Sequence, residues 1–214
     1  MQDSAAHIFN EIAQGYDLWY ENNVIFLNEL AAIKRIISID GASLEIGTGS
    51  GRFAKALSIA FGLDPAFKPL KIAKLRSINV VQARAEAVPF RSNVFDNIFF
   101  ITSLCFVDDH AQSIREGIRV LKSGGQLIIG FIPVDSGWGA FYRQKKKEGH
   151  RVYRYAKFFS SEELIFLIAG EGLLMKRASS TLFQPPDAKE YISETPQDGI
   201  IKGGGFQVLV FKKV

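Results

Sequence analysis

Three glycines and one glutamate lie close together near residue 50, in a pattern that suits a ligand-binding turn. Residues 44–51 read L-E-I-G-T-G-S-G, which places an acid, Glu45, two positions before the first of three alternating glycines. Glycines let a backbone approach a ligand closely, and the free N–H groups at the start of a following helix favour polar or anionic groups. A carboxylate beside such a turn can pair with a cationic group, such as the ammonium of an amino acid. The stretch therefore indicates a site for a ligand with charged and polar groups.

The spacing of these glycines differs from the fingerprint of nicotinamide and flavin cofactors. That fingerprint reads G-x-G-x-x-G and has its acid about 20 residues further on. Here the third glycine comes one residue earlier, and an acid precedes the first glycine. A nicotinamide-dependent dehydrogenase is therefore disfavoured, although the spacing alone leaves this alternative open.

Apolar runs of strand length alternate with amphipathic segments along the chain. Strands are predicted at residues 43–46, 60–64, 79–82, 95–101, 126–132, 174–182 and 206–212. Helices are predicted at residues 5–20, 24–38, 51–58, 68–75, 110–121 and 160–170. This alternation predicts an α/β fold with a doubly wound, mostly parallel sheet and helices on both faces. The last two strands are predicted to form an antiparallel edge hairpin, and their connection at residues 184–205 to be mobile or shaped by a ligand or partner.

Further segments resemble the motifs of one enzyme family, in the same order along the chain. They are residues 62–65 (GLDP), 83–90 (ARAEAVPF), 94–100 (VFDNIFF), 119–129 (RVLKSGGQLII) and 158–164 (FFSSEEL). Together with the glycine stretch they resemble the class I S-adenosylmethionine-dependent methyltransferases, in particular the small-molecule "type 11" members related to quinone biosynthesis. The similarity runs from about residue 42 to the end of the chain. It implies a Rossmann-like fold of seven strands and S-adenosyl-L-methionine as the cofactor.

The resemblance also assigns roles to residues at matching positions. It places Glu45 near the methionine amino group and Asp64 on both ribose hydroxyls, which a carboxylate can accept together. It places Ala85 and Glu86 beside the adenine, with capping of a turn as the alternative for Glu86. The remaining residues expected to contact the cofactor are Gly47, Thr48, Gly49, Gly51, Ser103 and Tyr16.

An N-terminal helical cap is implied by residues 15–20, which read GYDLWY and resemble the Y-D-x-W-Y segment of related enzymes. There the aromatic ring of Tyr16 is expected to contact the sulfonium region, since a cation on an aromatic face is favourable. Packing of an aromatic stripe on the sheet is the alternative, more so for Trp19 than for Tyr16. Residues 1–40 are predicted to form this cap within the same domain as residues 41–214, which bind the cofactor.

Arg84 departs from the family pattern, because the usual residue at its position is aspartate. An arginine has no acceptor for the adenine amino group. It can stack on the ring instead, or the backbone can supply the adenine contacts. The departure gives weight to a second alternative, a catalytically degenerate binding module with the same fold.

The sequence does not assign a catalytic residue. His110 and His150 are candidates for a general base on chemistry alone. Asp108 or Asp109 is predicted to cap a helix, and the ligands near them are too few to predict a metal site. The basic residues at 143–157 predict either an aromatic-lined lid over an anionic acceptor or a solvated helix face.

Composition restricts the class of protein further. A chain of 214 residues with 47% hydrophobic and 22% charged residues is large enough for one α/β domain with a full core. The net charge of +4 is mild, so nucleic acid is not a favoured partner. A single cysteine, Cys105, excludes an intramolecular disulfide and favours a reducing compartment, with a buried apolar role preferred over a nucleophilic one. No signal-peptide pattern and no apolar run of about 20 residues is found, which predicts a cytoplasmic protein without membrane insertion.

The function predicted from these patterns is methyl transfer from S-adenosylmethionine to an unidentified small-molecule acceptor. The expected route is an in-line displacement in which the enzyme supplies mainly positioning. The degenerate binding module and the dehydrogenase are the alternatives. The acceptor, the attacked atom and the oligomeric state cannot be read from the sequence.

Overall fold

The computed structural model describes residues 4–214, so the first three residues of the predicted cap lie outside the described residues. The strands are β1 (Ser43–Ile46), β2 (Phe61–Asp64), β3 (Asn79–Gln82), β4 (Phe95–Ile101), β5 (Leu121–Phe131), β6 (Leu173–Thr181), β7 (Gln197–Asp198) and β8 (Phe206–Lys213). They form one sheet in the order β3-β2-β1-β4-β5-β8-β6-β7. The first five strands pair in parallel, whereas β8 runs antiparallel to β5 and β6. The predicted mostly parallel, doubly wound sheet with an antiparallel edge is confirmed.

The sheet of the described residues has eight strands, one more than the seven that were predicted. The additional strand is β7, which has two residues and pairs with β6. Two residues are too few to show an alternating pattern, so the sequence gives no signal for this strand. The loop that contains it is anchored by Glu194, whose carboxylate accepts hydrogen bonds from the backbone N–H groups of Phe183 at 2.8 Å and Gln184 at 3.0 Å.

The helices cover both faces of the sheet. They are α1 (Ala5–Trp19), α2 (Val24–Ile36), α3 (Arg52–Ala56), α4 (Phe67–Leu75), α5 (His110–Val120), α6 (Gly137–Lys147) and α7 (Ser161–Ile168). Short 3-10 turns lie at Leu104–Phe106 and Tyr153–Tyr155. The beginning of helix α6 was not predicted, because two of its first three residues are glycines, which lower helix propensity by about 1 kcal/mol each. Its basic second half overlaps the segment at 143–157, for which a helix face was one of the two interpretations.

The core lies on both sides of β1 and β4. All four residues of β1 are buried, and the fully buried side chains of β4 include Phe95, Phe99 and Phe100. The second half of β4, residues 98–101, is a continuous apolar run because it is buried on both faces, which is why that strand was visible in the sequence. Each buried phenylalanine contributes roughly 1.5–3 kcal/mol to the free energy of unfolding through removal from water. The buried central strands β1 and β4 therefore fix the positions of the loops that follow their carboxyl ends.

Asp17 joins the N-terminal helix to the remainder of the fold. Its carboxylate accepts hydrogen bonds from Arg52 on α3, at 2.8 Å from both Nε and Nη2, and from Arg76 after α4, at 2.9 Å. Burial alone disfavours the charged form, but the hydrogen bonds from the two arginines outweigh it and lower the pKa of Asp17 to about 2. These ion pairs hold α1 over the glycine turn.

Helix starts are fixed by side-chain caps. Asp109 accepts a hydrogen bond from the backbone N–H of Gln112 at 2.9 Å, so the predicted cap of α5 is confirmed for Asp109. Ser160 and Glu163 form a reciprocal capping box at the start of α7. Asn23 caps α2, which positions the inner face of that helix toward the site described below.

Candidate active site

The glycine turn is built at the end of β1, against the end of β2. The backbone N–H groups of Gly47 and Thr48 both donate to the carbonyl oxygen of Leu63, at 2.7 and 3.0 Å. Gly47 and Gly49 have φ angles of +80° and +53°, a region that favours glycine. A Cβ on Gly47 would lie 2.3 Å from the Cβ of Ser103, whereas one on Gly49 would meet nothing within 4 Å. Gly47 is therefore required for packing, and Gly49 opens onto the cleft.

Glu45 lies at the base of this cleft. It is only 2% exposed, and one of its carboxyl oxygens accepts a hydrogen bond from the hydroxyl of Thr48 at 2.6 Å. Burial raises the pKa of Glu45 to about 8, against the opposing effects of the Thr48 hydroxyl and the Ala54 N–H. A cationic ligand group beside Glu45 would reverse that shift and stabilise the carboxylate.

Asp64 ends β2 at the opposite side of the turn. Its Oδ2 accepts a hydrogen bond from the N–H of Gly49 at 2.9 Å, and its Oδ1 accepts one from Ala66 at 2.8 Å. Burial raises its pKa to about 6, and the two N–H groups act against that shift. Each carboxylate oxygen has a further lone pair, so Asp64 has two acceptor positions left for ligand hydroxyls.

Ion pairs join the segment that was predicted to lie beside the adenine to the residues before α5. Arg84 donates to Asp108 at 2.5 Å and to Glu86 at 3.3 Å, and its side chain is 59% exposed. Glu86 also accepts the backbone N–H groups of Asp108 at 2.9 Å and Asp109 at 3.2 Å. Glu86 thus has the turn-capping contacts that were the alternative to a ligand role. Ala85 is buried between these residues, at 6% exposure.

Ser103 and Tyr16 complete the walls of the cleft. The hydroxyl of Ser103 donates to the carbonyl oxygen of Ile46 at 2.7 Å, so its proton is used to join β4 to β1. The hydroxyl of Tyr16 lies 2.9 Å from that of Tyr20. Trp19 is 43% exposed, which disfavours the alternative in which it packs on the sheet. It instead lines a second cavity next to the cleft.

The second cavity encloses about 540 Å³ and adjoins the cleft. The two spaces share Phe9, Tyr16, Tyr20, Thr102 and Phe106 as walls. Aromatic side chains predominate around the cavity, among them Trp138, Tyr142, Tyr153, Phe158 and Tyr191. The basic segment was predicted to form an aromatic-lined lid or a solvated face. Three of its basic residues, Lys145, His150 and Lys157, line this cavity.

The two histidines proposed as bases differ in position. His150 lines the cavity, and burial, together with the charge of Lys145, lowers its pKa. His110 lies outside the cleft and the cavity, packed edge-on against Phe159 with ring centroids 4.8 Å apart. Cys105 lines the cavity, and burial raises the pKa of its thiol to about 12, which disfavours a nucleophilic thiolate.

Glu29 was missed by the sequence analysis. It lies on α2, is 6% exposed and lines the cavity. The available signal was its helical spacing, because Glu29 falls four residues after Ile25 and four before Ile33, on an otherwise apolar face. An acid on the buried face of a helix is unusual enough to mark a functional site.

Comparisons with known proteins agree on one family. Residues 44–129 match the methyltransferase domain family. An uncharacterized protein of Methanocaldococcus jannaschii is 36% identical over 97% of this chain and 100% of its own length. A ubiquinone/menaquinone biosynthesis C-methyltransferase of Klebsiella pneumoniae is 30% identical over 60% of this chain and 59% of its own length.

A solved structure from Thermotoga maritima supports the same assignment. It is described as an S-adenosylmethionine-dependent methyltransferase and possible histamine N-methyltransferase. It is 34% identical to this chain, with a TM-score of 0.90, and the match covers 98% of this chain and 100% of the other. The chain therefore belongs to the class I S-adenosylmethionine-dependent methyltransferase family. Within residues 4–214, no helix is long and apolar enough to cross a membrane.

Proposed function

We propose that this protein transfers the methyl group of S-adenosylmethionine to a small molecule held in the aromatic cavity. The main support for the proposal is that the cleft at the glycine turn and the aromatic cavity adjoin each other. The cleft at the glycine turn and the cavity share the walls formed by Tyr16 and Thr102. A reaction between a cofactor and an acceptor needs two adjoining sites of this kind, because the reacting atoms must be brought together in a fixed orientation.

The residues of the cleft suit the proposed cofactor. Glu45 would hold the methionine ammonium, since it is a buried acid without a cationic partner among the described residues. Asp64 would hold the ribose hydroxyls with its remaining lone pairs. Gly47, Thr48 and Gly49 would line the cofactor, because they line the cleft and the turn leaves open space at Gly49. Gly51, which was also expected to contact the cofactor, is not part of the cleft wall, and a Cβ there would lie 2.3 Å from the side chain of Ile78. Ala85, Glu86, Ser103 and Tyr16 would complete the binding site.

When bound, S-adenosylmethionine supplies a methyl group on a positively charged sulfur atom. The chain's own contribution is to orient the acceptor and to exclude water through the aromatic walls. A general base is required only if the attacking atom carries a proton. His150 is the candidate histidine on the cavity wall, whereas His110 lies outside both spaces.

We infer that residues 1–40 and 41–214 act as one domain in the cytoplasm, with no nucleic-acid partner. An anionic acceptor was one of two interpretations of the basic segment, the other being a solvated helix face. Its lysines Lys145 and Lys157 place their Nζ atoms over the rings of Phe141 and Phe159, at 4.8 and 4.9 Å from the ring centroids. These contacts hold both cations against the wall.

Calorimetric titration with S-adenosylmethionine, S-adenosylhomocysteine and NAD tests the cofactor. We expect saturable binding of the two adenosyl ligands and none of NAD, with at least about tenfold weaker binding in Asp64→Ala. Asp187→Ala is the matched control, because Asp187 is an exposed acid of the 184–205 loop. Binding of NAD alone would support the dehydrogenase instead.

A screen of candidate methyl acceptors tests whether the protein transfers the methyl group. Transfer of a labelled methyl group is measured across amines, phenols and quinols, with histamine and a quinol included because of the two named relatives. Formation of a methylated product supports the proposal. Tight adenosyl binding without transfer to any acceptor would favour the degenerate binding module.

A further inference from the structure

Glu29 projects into the aromatic cavity from the middle of α2. It is 6% exposed, and no other Asp or Glu among residues 4–214 lines the cavity. The side-chain amide of the neighbouring Asn28 joins α2 to the 184–205 loop, since it donates to the carbonyl of Ile192 at 3.0 Å and accepts from the N–H of Glu194 at 2.9 Å. These two hydrogen bonds hold α2 in place, and the side chain of Glu29 on the same helix lines the cavity.

The carboxyl group of Glu29 makes no hydrogen bond or ion pair with any residue between 4 and 214. Burial raises its pKa to about 8, and burial is the only cause of that shift. Burying an unpaired carboxylate costs several kcal/mol, so such groups are normally paired. A cationic ligand in the cavity would supply the missing partner.

The surroundings of Glu29 suit a cation on an apolar body. Four tyrosines interact electrostatically with its carboxylate, namely Tyr16, Tyr20, Tyr142 and Tyr153. Burial raises the pKa of all four hydroxyls, so they are neutral near pH 7. Aromatic faces attract cations by about 0.5–2 kcal/mol, depending on how far the cation is desolvated. The cavity therefore combines one acid with several cation-binding surfaces.

Basic groups on the cavity wall do not neutralise this acid. The basic side chains there are Lys145, His150 and Lys157, and none contributes to the pKa of Glu29. The two lysines lie over aromatic rings, and the pKa of His150 is lowered, so it is uncharged near pH 7. The nearby thiol of Cys105 is also neutral.

We propose that Glu29 binds a basic nitrogen of the methyl acceptor, so that the substrates of this cavity are small amines or imidazoles with an apolar body. This inference rests on the proposed methyl transfer and specifies its substrate class. Glu29 would act as the charge partner that selects and orients the acceptor through its cationic nitrogen. Because that cation has no lone pair, the attacking lone pair would belong to another atom of the acceptor. Its removal is expected to weaken acceptor binding while cofactor binding is preserved.

Three probes of similar shape test the charge preference. 2-Phenylethylamine, 2-phenylethanol and 3-phenylpropionate are titrated calorimetrically into the protein, with and without saturating S-adenosylhomocysteine. We expect the amine to bind at least about tenfold more tightly than the alcohol, and the carboxylate to bind most weakly. Glu29→Gln should remove the preference for the amine. Glu162→Gln, which changes an exposed acid on α7, should retain it.

Proton release provides a readout that a purely structural role would not change. At pH 7 most of the Glu29 carboxyl is protonated, because its pKa is about 8. Binding of an ammonium should therefore release between about half and one proton per amine, measured from the enthalpy in buffers of different ionisation enthalpy. Glu29→Gln should release none.

The outcomes separate this inference from the proposed function. Failure of S-adenosylhomocysteine to bind would overturn the proposed function, and the amine titration without it would still test Glu29. Equal binding of amine and alcohol, or an amine preference that survives Glu29→Gln, would overturn the inference. If 3-phenylpropionate binds most tightly, the inference is also overturned, and an anionic acceptor is supported instead. Wild-type affinity of Glu29→Gln for S-adenosylhomocysteine shows that the variant is folded.

Discussion

Asp64 holds the glycine turn in place by accepting the backbone N–H of Gly49 at 2.9 Å. The acid that ends β2 thus supports the turn that ends β1, across two adjacent parallel strands. The same carboxylate has lone pairs left for a ligand. One side chain therefore both shapes the cleft and offers acceptors in it, which determines how its variants should behave.

Asp64→Asn is expected to separate these two roles. The amide oxygen can still accept from Gly49, but the charge and one acceptor group are lost, so affinity for S-adenosylhomocysteine should fall by about tenfold or more. The raised pKa of Asp64, about 6, means that its contribution to stability is full below the ordinary value of 3.8 and is lost as pH rises through 6. The variant loses the hydrogen bond from the Ala66 N–H at every pH, because an amide has only one acceptor oxygen. Because it never ionises, its stability relative to wild type should nevertheless rise by about 1–2 kcal/mol between pH 5 and pH 7.5.

Urea unfolding at pH 5 and pH 7.5, together with calorimetry, checks this prediction. Asp187→Asn is the control on the exposed loop. If Asp64→Asn is destabilised equally at both pH values, the charge of Asp64 is not disfavoured by burial.

Glu45→Gln should alter stability in the same direction over a higher pH range. The wild-type pKa of about 8 means that the contribution of the buried carboxyl to stability is lost as pH rises from 4.5 through 8. Glutamine keeps an acceptor for the Thr48 hydroxyl and never ionises. The variant should gain about 1–3 kcal/mol relative to wild type between pH 5 and pH 9. Thermal unfolding of both proteins across that range measures the difference, and Glu162→Gln should show no trend.

Alanine substitutions in the glycine turn should have unequal effects. Gly47→Ala combines a φ of +80° with a Cβ contact of 2.3 Å to Ser103, so it should lower the free energy of unfolding by about 2–4 kcal/mol. Gly49→Ala has the φ of +53° but open space, so about 1 kcal/mol is expected, together with a loss of cofactor affinity. The methyl group at position 49 would project into the cleft.

Gly124→Ala is the matched control for both glycine variants, since its φ is +74° and a Cβ there would meet nothing within 4 Å. It reports the cost of the left-handed backbone alone. Chemical unfolding gives the three stabilities, and calorimetry with S-adenosylhomocysteine gives the affinities. Equal destabilisation of all three variants would contradict the role of packing at Gly47.

Asp17→Asn should loosen the N-terminal helix. The variant leaves the guanidinium groups of Arg52 and Arg76 without their partially buried carboxylate, at a cost of about 2–4 kcal/mol. The wild-type pKa of about 2 places this stabilisation at full strength above 3.8, with loss as pH falls through 2. Hydrogen exchange should show greater opening of α1 in the variant. Protection of α1 equal to wild type would show that other contacts hold the helix.

Local patterns explain which elements were predicted. The second half of β4 appears as an apolar run because it is buried on both faces, and α5 begins at a side-chain cap that can be read directly. β1 was found from its position directly before the glycine turn, since two of its four residues are polar. Strand β7 and the beginning of helix α6 carry no such signal, the first because of its length and the second because of its glycines. The assignment of Arg84 also lay beyond the sequence, since its partner Asp108 is 24 residues away along the chain.

The sequence by itself determined most of the strands and helices along the chain, the glycine turn with Glu45 before it, and the family to which these motifs point. Each of these depends on residues that are near neighbours in the chain, where periodicity and backbone preferences act directly. Only the tertiary structure decided that Asp64 supports Gly49, that the cleft adjoins an aromatic cavity, and that Glu29 faces it unpaired. These relationships depend on which distant segments the sheet and helices bring together, and on the burial that results, which no local pattern encodes.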